Sequence, residues 1–328
     1  MQAICTTPER HVELRDVPAP TGAAAGHVLI KMDASGINAG DIAFLKRIAP
    51  RNVAMSLHDV WGVSGAGTVI AIGPGVASNY LGKKVAVYRS LVGTDHTIGT
   101  WCEIAQMHHL ACVILPDDVA TIDYAASLVN VITPYAFWAR ARQEQHRGVL
   151  VTAGSSATGI AMLGIALAYG IPLVSIVRTG AARQRLIALG AENVVVASDP
   201  DFERDLAALL EAQNASAVFD GVGGALLSRI APLALRGSTV YSYGYLGGEA
   251  PVVLHTSVLM AKNMTLTSFS NFGSPTVQDR AQLETALDAI SQIIAMPHFK
   301  TRRGASFGYD AIDDIPKLGE IEHFWSLD

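Results

Sequence analysis

The distribution of hydrophobic residues divides the chain into two parts with different periodicities. Up to about residue 118, short apolar runs of β-type composition are separated by glycine and proline, which predicts a mostly β domain. The predicted strands are 27–34, 67–72, 84–88, 101–106 and 112–115. After this region the apolar runs lengthen, and residues 123–142 predict a helix with Asp123 as its N-cap and Pro134 as a kink.

Strands and helices alternate regularly in the second part. Apolar strands are predicted at 149–152, 173–177, 193–196, 217–220, 239–243 and 265–269, with helices at 159–169, 181–189, 202–212 and 224–235. Gly190 directly follows one of these helices, as a C-terminal glycine cap should. Six apolar strands with intervening helices predict a doubly wound parallel sheet, so the expected fold class is α/β.

The end of the chain adds a helical pattern at 280–295, followed by Gly- and Asp-rich turns and a short terminal helix. Because six strands are complete by Phe269, we expect this tail to pack back on the first domain. The predicted domains are therefore the mostly β domain at 1–122, the parallel-sheet domain at 123–271, and the returning segment at 272–328.

Composition narrows the classes of partner. The 328 residues are 50% hydrophobic and 16% charged, which supports a buried core and excludes disorder as the main state. There are 24 lysines and arginines against 29 aspartates and glutamates, so the formal charge of −5 gives no electrostatic reason to bind nucleic acid or an anionic membrane. The uncharged stretch 148–177 is broken by glycines and Pro172, which predicts a strand, a turn and a helix and not a membrane span.

Cysteine and histidine positions bear on metal binding and on compartment. Cys5, Cys102 and Cys112 contain no Cys-x-x-Cys pair, which argues against a disulfide framework and against a four-thiolate zinc lobe. With no basic segment and apolar run at the start, a cytoplasmic protein is expected. The adjacent His108 and His109 are predicted to lie on a strand with their rings on opposite faces, as surface or packing residues.

The most informative local motif follows the first strand of the parallel sheet. An apolar strand enters a turn of small residues, Gly154-x-Ser156-x-x-Gly159, which opens directly into a helix. Small side chains let a dinucleotide pyrophosphate approach the backbone, where the first N–H groups of the helix favour negative charge. Serine stands where the common fingerprint has its second glycine, so an ordinary strand–helix turn is the alternative. The predicted binding residues are Gly154, Ser155, Ser156, Ala157, Thr158 and Gly159.

The residues after the second strand indicate which dinucleotide would bind. Arg178 and Thr179 follow that strand, and Arg183 lies one helical turn further, where an acidic residue would bind the 2′-hydroxyl of NAD. A guanidinium instead makes charge-assisted hydrogen bonds to the 2′-phosphate of NADP, so the predicted cofactor is NADPH. The alternative is that both arginines are solvated surface charges.

Two further glycine-rich turns, 220–224 and 243–248, follow strands of the same sheet. Ligands of open α/β sheets bind outside the carboxyl ends of the strands, so both turns should flank the nicotinamide. The predicted contacts are Val222, Gly223, Tyr243, Gly244 and Phe269. Their glycines would be plain turn residues under the alternative interpretation.

Several motifs together resemble the zinc-independent branch of the medium-chain dehydrogenase/reductase superfamily, the quinone oxidoreductases and 2-enoyl thioester reductases. The resemblance spans nearly the whole chain and rests on 34–41 (ASGINAGD), 62–69 (GVSGAGTV), 73–76, 82–87 (GKKVAV), 99–104, the helix with Val129, Asn130, Thr133 and Tyr135, the 155–159 turn and 189–194 (LGAENV). It implies a GroES-like catalytic domain, a Rossmann cofactor domain with a cleft between them, and homodimers. It also implies hydride transfer from NADPH to a quinone or an electron-poor C=C bond.

The resemblance also suggests roles for individual residues. The zinc-dependent branch would have a cysteine near Asn38 and Gly-His-Glu where this chain has Gly62-Val63-Ser64, so no catalytic zinc is expected. Asn38 is implied to face the nicotinamide and to donate to a carbonyl oxygen that gains negative charge; a turn asparagine beside Asp41 is the alternative. Thr133 and Tyr135 match family positions near the nicotinamide, although a core-facing helix would explain them almost as well.

The resemblance to the family weakens after residues 38–41, which form an Asn-x-x-Asp motif. Enoyl thioester reductases carry a proton-donating tyrosine there, whereas residues 44–50 contain none, and Tyr88 is the candidate catalytic tyrosine that the chain offers instead. Reduction of a quinone or enal needs no dedicated acid, because solvent can protonate the product. The basic residues Lys46, Arg47 and Arg51 form either a solvated loop or a site for the phosphates of a coenzyme A or phosphopantetheine substrate.

These features predict an NADPH-dependent, metal-free reductase of a quinone or an α,β-unsaturated carbonyl, with a small-molecule electron acceptor and a second copy of the chain as partners. Two alternatives remain open. One is a 2-enoyl thioester reductase; the other is an NADPH-binding protein without turnover, since no obligatory acid–base residue is visible. A serine hydrolase is disfavoured because the chain has no Gly-x-Ser-x-Gly elbow.

Overall fold

The structure, a computed structural model, describes residues 1–45, 56–302 and 304–314. It divides into two compact units. The first consists of Met1–Asn130 and the described residues from Leu283 onward, and the second of Val131–Gln282. The divisions fall after residues 130 and 282, each within a continuous helix, whereas the predicted boundaries are after residues 122 and 271.

The first unit contains two antiparallel sheets. The strands are β1 (Gln2–Thr6), β2 (Val12–Asp16), β3 (His27–Gly36), β4 (Ser64–Ile72), β5 (Lys84–Tyr88), β6 (Ile104–His108) and β7 (Cys112–Ile114). β1 pairs with β2, and the other five form a sheet in the order β6-β3-β4-β5-β7. Helix α1 (Ala39–Leu45) follows β3 and brings Phe44 into a stack with Trp61, with ring centroids 4.1 Å apart.

The second unit is built on a six-stranded parallel sheet. Helix α2 (Ser127–Gln143) precedes β8 (Gly148–Val151), β9 (Leu173–Val177), β10 (Asn193–Val196), β11 (Ala215–Asp220), β12 (Thr239–Ser242) and β13 (Thr265–Ser268). The strand order is β10-β9-β8-β11-β12-β13, and every neighbouring pair is parallel. Counted from β8 this is the 3-2-1-4-5-6 order of the Rossmann fold, which confirms the predicted fold class.

Helices α3 (Ala157–Tyr169), α4 (Gly180–Ala188), α5 (Phe202–Ala212) and α6 (Gly224–Ile230) follow strands β8, β9, β10 and β11 of this sheet. The later helices are α7 (Thr256–Lys262), α8 (Pro275–Gln278) and α9 (Arg280–Ile293), and most of α9 belongs to the first unit. β8 and β9 are buried along their whole length, as expected for central parallel strands covered on both faces. The strand order reverses between β8 and β11, and the carboxyl ends of these two strands therefore mark the place where a doubly wound sheet binds its ligand.

Several local predictions differ from the structure. Asp123 is not the N-cap of α2, because it lies in a 3-10 turn (Thr121–Tyr124) and its carbonyl accepts the N–H of Thr301. Strands β1 and β2 and helix α7 were not predicted; all five residues of β2 are exposed or half-buried, and Val12 and Leu14 are its only apolar positions. Gly190 has a φ of +94° just after α4, as its predicted role at the helix end requires. The predicted terminal helix lies outside the described residues.

The pair His108 and His109 also differs from its prediction. β6 ends at His108, and His109 begins a 3-10 turn, so the two side chains do not alternate across a strand. Their rings stack with centroids 4.6 Å apart. In the part of the chain that the structure describes, no helix is both long and apolar enough to cross a membrane.

Candidate functional site

The turn between β8 and α3 is shaped by close backbone contacts. Ala153 has a φ of +51°, and the N–H of Gly154 donates to the carbonyl of Ile176 at 2.8 Å. Ser156 caps α3, since its Oγ accepts the N–H of Gly159 at 3.1 Å. A Cβ at Gly159 would lie 2.5 Å from the carbonyl oxygens of Ala153 and Gly154, so a glycine at this position lets the helix start this close to the strand.

The helices that begin near this edge present their N-termini without acidic side chains. The first turns of α3, α4 and α6 contain no acidic residue, whereas α5, which follows the outer strand β10, has Glu203 and Asp205. The N-terminus of a helix carries a partial positive charge and N–H groups without an intrahelical acceptor. The edge around β8, β9 and β11 is therefore suited to an anionic ligand.

Arg178, Thr179 and Arg183 lie together at the end of β9. Arg178 is exposed, and its carbonyl accepts the Ser198 hydroxyl at 3.1 Å. The Thr179 hydroxyl caps α4 by accepting the N–H of Ala182 at 3.3 Å, so the helix already uses this side chain. Arg183 is exposed in the first turn of α4. Both arginines are thus exposed residues, at the end of β9 and in the first turn of α4.

The loops that follow β11 and β12 are bonded to each other. Gly247 donates its N–H to the carbonyl of Val222 at 2.8 Å, and Leu246 donates to the carbonyl of Gly221 at 3.0 Å. A Cβ at Gly244 would lie 2.8 Å from the oxygen of Gly221. Together with Gly223, these predicted site residues lie in one double loop, at the same edge of the sheet as the β8–α3 turn.

Tyr243 and Phe269 belong to an aromatic cluster under this double loop. The ring of Phe137 lies 4.7 Å from that of Tyr243 and 4.8 Å from that of Phe269, and it stacks on Phe219 at 4.1 Å. Burial raises the pKa of Tyr243 above its usual range. Phe269 is only 9% exposed, so its side chain serves mainly to pack the core.

Helix α2 carries the remaining predicted residue of the second unit. Thr133 is half-buried and precedes Pro134, which lies inside the helix. Tyr135 is buried against Trp138 and Tyr169, with ring centroids 5.2 and 6.4 Å away. The packing interpretation therefore accounts for Tyr135 without a ligand.

Sequence reasoning missed a buried polar pair at the centre of this edge. Thr152 and Asp220, both 0% exposed, are joined by a hydrogen bond of 2.7 Å from Thr152 Oγ1 to Asp220 Oδ1. Asp220 was noticed only as the start of a glycine-rich turn. An aspartate before Gly-Val-Gly-Gly is a signal for a side chain that bonds its own loop, and it would have found this residue.

In the first unit, Asn38 joins α1 to the five-stranded sheet. Its backbone N–H donates to Asp41 Oδ2 at 2.7 Å, and its side-chain Nδ2 donates both to Asp41 Oδ2 at 3.0 Å and to Ser64 Oγ at 2.9 Å. Both amide hydrogens are thus used inside the unit, as the turn-asparagine interpretation predicts. Tyr88 is 8% exposed and pairs in register with Ser64, so β4 brings it to the same end of the sheet as Asn38.

Asp41 is the most perturbed carboxyl group near Asn38. It is 0% exposed, and burial raises its pKa to about 6, against the opposing effects of the hydrogen bonds from Asn38 and of the charge on Arg89. Arg89 is itself only 4% exposed, and its guanidinium lies 5.3 Å from the ring centroid of Trp61. Asn38 is therefore anchored to a buried group that titrates within a few pH units of neutrality.

The described residues do not fit a zinc site. None of their histidine, cysteine, aspartate and glutamate side chains form a group of three or more that would hold a metal ion. Cys5, Cys102 and Cys112 are buried, and burial raises the pKa of each thiol, that of Cys102 to about 12. The basic cluster of Lys46, Arg47 and Arg51 lies outside the described residues.

Two family models match the chain. Residues 24–117 match the alcohol dehydrogenase GroES-like domain, and residues 157–292 match the model described as zinc-binding dehydrogenase. The human mitochondrial enoyl-acyl-carrier-protein reductase is 28% identical over 273 residues, which are 80% of this chain and 69% of the relative.

Solved structures share the fold. A candidate NADPH:quinone reductase from Mesorhizobium loti is 25% identical, with a TM-score of 0.71 and coverage of 98% of this chain and 93% of that one. The quinone oxidoreductase of Escherichia coli, solved as a complex with NADPH, has a TM-score of 0.71 at 19% identity and covers 100% of this chain and 97% of its own. At this identity, the comparison with the Escherichia coli protein shows a shared fold only.

Replacing Asp41 by asparagine should change how stability depends on pH. Since folding raises the pKa of Asp41 from 3.8 to about 6, the folded protein keeps a proton that the unfolded chain has lost, and this group lowers the free energy of unfolding as the pH rises through that window. The full effect is about 3 kcal/mol. Urea unfolding at several pH values should show Asp41→Asn gaining stability relative to wild type as the pH rises. The exposed substitution Asp95→Asn is the control, and parallel profiles for wild type and Asp41→Asn would contradict the assignment.

Proposed function

Because the chain belongs to the medium-chain dehydrogenase/reductase superfamily, a family of oxidoreductases, we propose that it is an NADPH-dependent reductase of a quinone or of the C=C bond of an α,β-unsaturated carbonyl. The observation that carries the proposal is the β8–α3 turn, where Gly159 lets the helix begin against the strand and no acidic residue occupies the first helical turn. Such a turn at the point where the strand order reverses fits a pyrophosphate.

The residues of the second unit would hold the coenzyme. The N–H groups at the start of α3, from Ala157 and Thr158, would bind the pyrophosphate, while the loops carrying Val222 and Gly244 would flank the nicotinamide. When bound, the reduced nicotinamide supplies a hydride, and the acceptor takes up that hydride and one proton from solvent to give a hydroquinone or a saturated carbonyl. The protein contributes position and electrostatics.

NADPH is proposed over NADH because of the end of β9. The segment Arg178-Thr179-Gly180 has no acidic residue to bind a ribose 2′-hydroxyl, and the exposed residues Arg178 and Arg183 suit a 2′-phosphate.

Hydride transfer without zinc is proposed because Asn38, Val63 and Ser64 stand where the resemblance places metal ligands, and none of these side chains is a thiolate or an imidazole.

Asn38 and Tyr88 are the proposed polar residues of the first unit. The side-chain amide of Asn38 already donates hydrogen bonds to Asp41 and Ser64. Asn38 would therefore act on an electron acceptor together with Ser64, as a fixed hydrogen-bonded pair, and not as a free donor. Tyr88 lies opposite Ser64 on the neighbouring strand, and we propose it as the phenol of this part of the site.

A second candidate function is reduction of a 2-enoyl thioester. It is favoured by the likeness to the human enoyl-acyl-carrier-protein reductase, which extends over 80% of this chain. The two functions differ in their acceptor and share the hydride donor. A panel of acceptors therefore decides between them.

The test of the proposal is acceptor-dependent oxidation of NADPH, followed by the loss of absorbance of the reduced nicotinamide. Purified protein is mixed with NADPH and then with 1,2- and 1,4-quinones, enals, enones and a 2-enoyl thioester. We expect oxidation with a quinone or an unsaturated carbonyl. Turnover of the thioester alone would favour the second candidate, whereas binding of NADPH with no turnover of any acceptor would contradict both.

Arg178→Ala should weaken the use of NADPH selectively. Loss of charge-assisted hydrogen bonds to the 2′-phosphate is expected to raise the KM for NADPH by roughly tenfold and to leave the KM for NADH nearly unchanged. Arg185→Ala, which removes an exposed arginine from the last turn of α4, is the matched control. Equal changes for the two coenzymes would argue against a role for Arg178 in phosphate recognition.

We also propose that a second copy of the chain pairs with the edge of the parallel sheet. β13 ends the strand order and all four of its residues are exposed, Leu266 by 48%; two further apolar side chains, Met260 and Val253, are exposed by 76% and 71%. An open, partly apolar strand edge favours pairing with another strand.

Light scattering should give about twice the chain mass of 34.6 kDa. Leu266→Lys is expected to halve that mass, because a buried charge would oppose association. Leu167→Lys, at a site of similar exposure on α3, should leave it unchanged. A wild-type protein that is monomeric at high concentration would contradict the proposal.

A further inference from the structure

Thr152 and Asp220 make a buried contact between the ends of β8 and β11. The Thr152 hydroxyl donates to Asp220 Oδ1 at 2.7 Å and accepts the N–H of Gly221 at 2.9 Å. The hydroxyl therefore has one fixed orientation, as donor on one side and acceptor on the other. The backbone N–H of Thr152 also donates to the carbonyl of Phe219 at 3.1 Å, which continues the pairing of the two strands up to this point.

The carboxylate of Asp220 organises the loop that follows β11. In addition to the Thr152 hydroxyl, Oδ1 accepts the N–H of Val222 at 3.1 Å, and Oδ2 accepts the N–H of Gly223 at 2.9 Å. Gly223 has φ +72° and ψ −159°, a backbone conformation that is essentially restricted to glycine. The bonds to Asp220 hold the loop in this unusual conformation.

The same residue also supports the loop after β12. The carbonyl of Asp220 accepts the N–H of Tyr243 at 2.9 Å, and the next residues bond back to the carbonyls of Gly221 and Val222. A Cβ at Gly221 would lie 2.7 Å from the Tyr243 hydroxyl oxygen, so the two loops are in direct contact. One buried residue thus connects three segments: the carboxylate of Asp220 bonds the end of β8 and the loop after β11, and its backbone carbonyl bonds the loop after β12.

The free-energy cost of burying the Asp220 carboxylate argues that this residue does more than stabilise the fold. Burial raises the pKa of Asp220, and within the described structure the groups that oppose this effect are the Thr152 hydroxyl and the N–H groups of Val222 and Gly223, with no basic side chain among them. A buried carboxylate without a cationic partner is expensive compared with an apolar residue of similar size. Asp220 lies beside the point where the strand order reverses, which is where sheets of this kind bind their ligands, and a role in ligand binding would account for this cost.

We propose that Thr152 and Asp220 are positioning residues for the dinucleotide, which set the loops after β8, β11 and β12 in the arrangement that receives its nicotinamide half; this inference rests on the proposed function. Neither side chain touches the ligand, because both are fully buried. They act through the backbone of Val222 and Gly223. Loss of the contact between Thr152 and Asp220 would therefore displace the loop after β11 and leave the sheet intact.

Three variants of Thr152 and its surroundings test the proposal. Thr152→Val keeps the shape of the side chain and removes the hydroxyl, Thr152→Ser keeps the hydroxyl, and Thr239→Val is the control in β12 of the same sheet. We expect the Kd for NADPH, measured by calorimetry, to rise by about tenfold in Thr152→Val and to stay within about threefold of wild type in the other two. Unchanged affinity in Thr152→Val, or loss of affinity in Thr152→Ser as great as in Thr152→Val, would overturn the proposal.

Amide hydrogen exchange without any coenzyme supplies an independent readout. In Thr152→Val and in Asp220→Asn, the N–H groups of Gly221, Val222 and Gly223 should exchange faster than in wild type, while the amides of β9 and α5 keep their rates. Unaltered exchange at those three residues would also overturn the proposal. A wild-type protein that binds no nicotinamide dinucleotide would instead refute the proposed function, and faster exchange in the variants would then still show that Asp220 holds the loop.

Discussion

Parallel pairing of β8 with β11 is the constraint on which the candidate site depends. The register places Val151 opposite Phe219, so the next residues of the two strands, Thr152 and Asp220, meet at the carboxyl edge of the sheet. From that contact the chain leaves in different directions, into the turn before α3 on one side and the loop before α6 on the other. A shift of one residue in this register would turn one of the two side chains to the opposite face of the sheet and break their contact.

Backbone proximity and charge work together at this edge. Gly159 permits α3 to begin in contact with the carbonyl groups of the turn, and Ser156 satisfies one of the N–H groups at the start of that helix. Around it, the first turns of the helices that follow β8, β9 and β11 contain no acidic residue, which favours an anion at their N-termini. The carboxylate of Asp220, at the end of β11, is fully buried and bonded by N–H and O–H donors, so it is not exposed to a phosphate at the surface.

Much of the fold could be predicted from the sequence, because continuous apolar runs of strand length alternate with helical patterns in the second unit, and this pattern has few other solutions. The pattern failed where burial is weak, as in β2, and at Asp123, where contact with Thr301, distant in sequence, decides the local structure. For the candidate site, the glycine spacing predicted the turn, but the partners of Asn38 and the contact of Thr152 with Asp220 join segments 26 and 68 residues apart. Such pairs cannot be found without the register of the strands that bring them together.

The central claim is that an NADP dinucleotide binds along the carboxyl edge around β8. Hydrogen–deuterium exchange measured by mass spectrometry, with and without NADPH, tests it most directly. The account predicts that NADPH slows exchange in peptides containing 153–159, 178–183 and 221–224, and that NADH protects 178–183 less. Protection confined to other parts of the chain, or no protection at saturating NADPH, would contradict it.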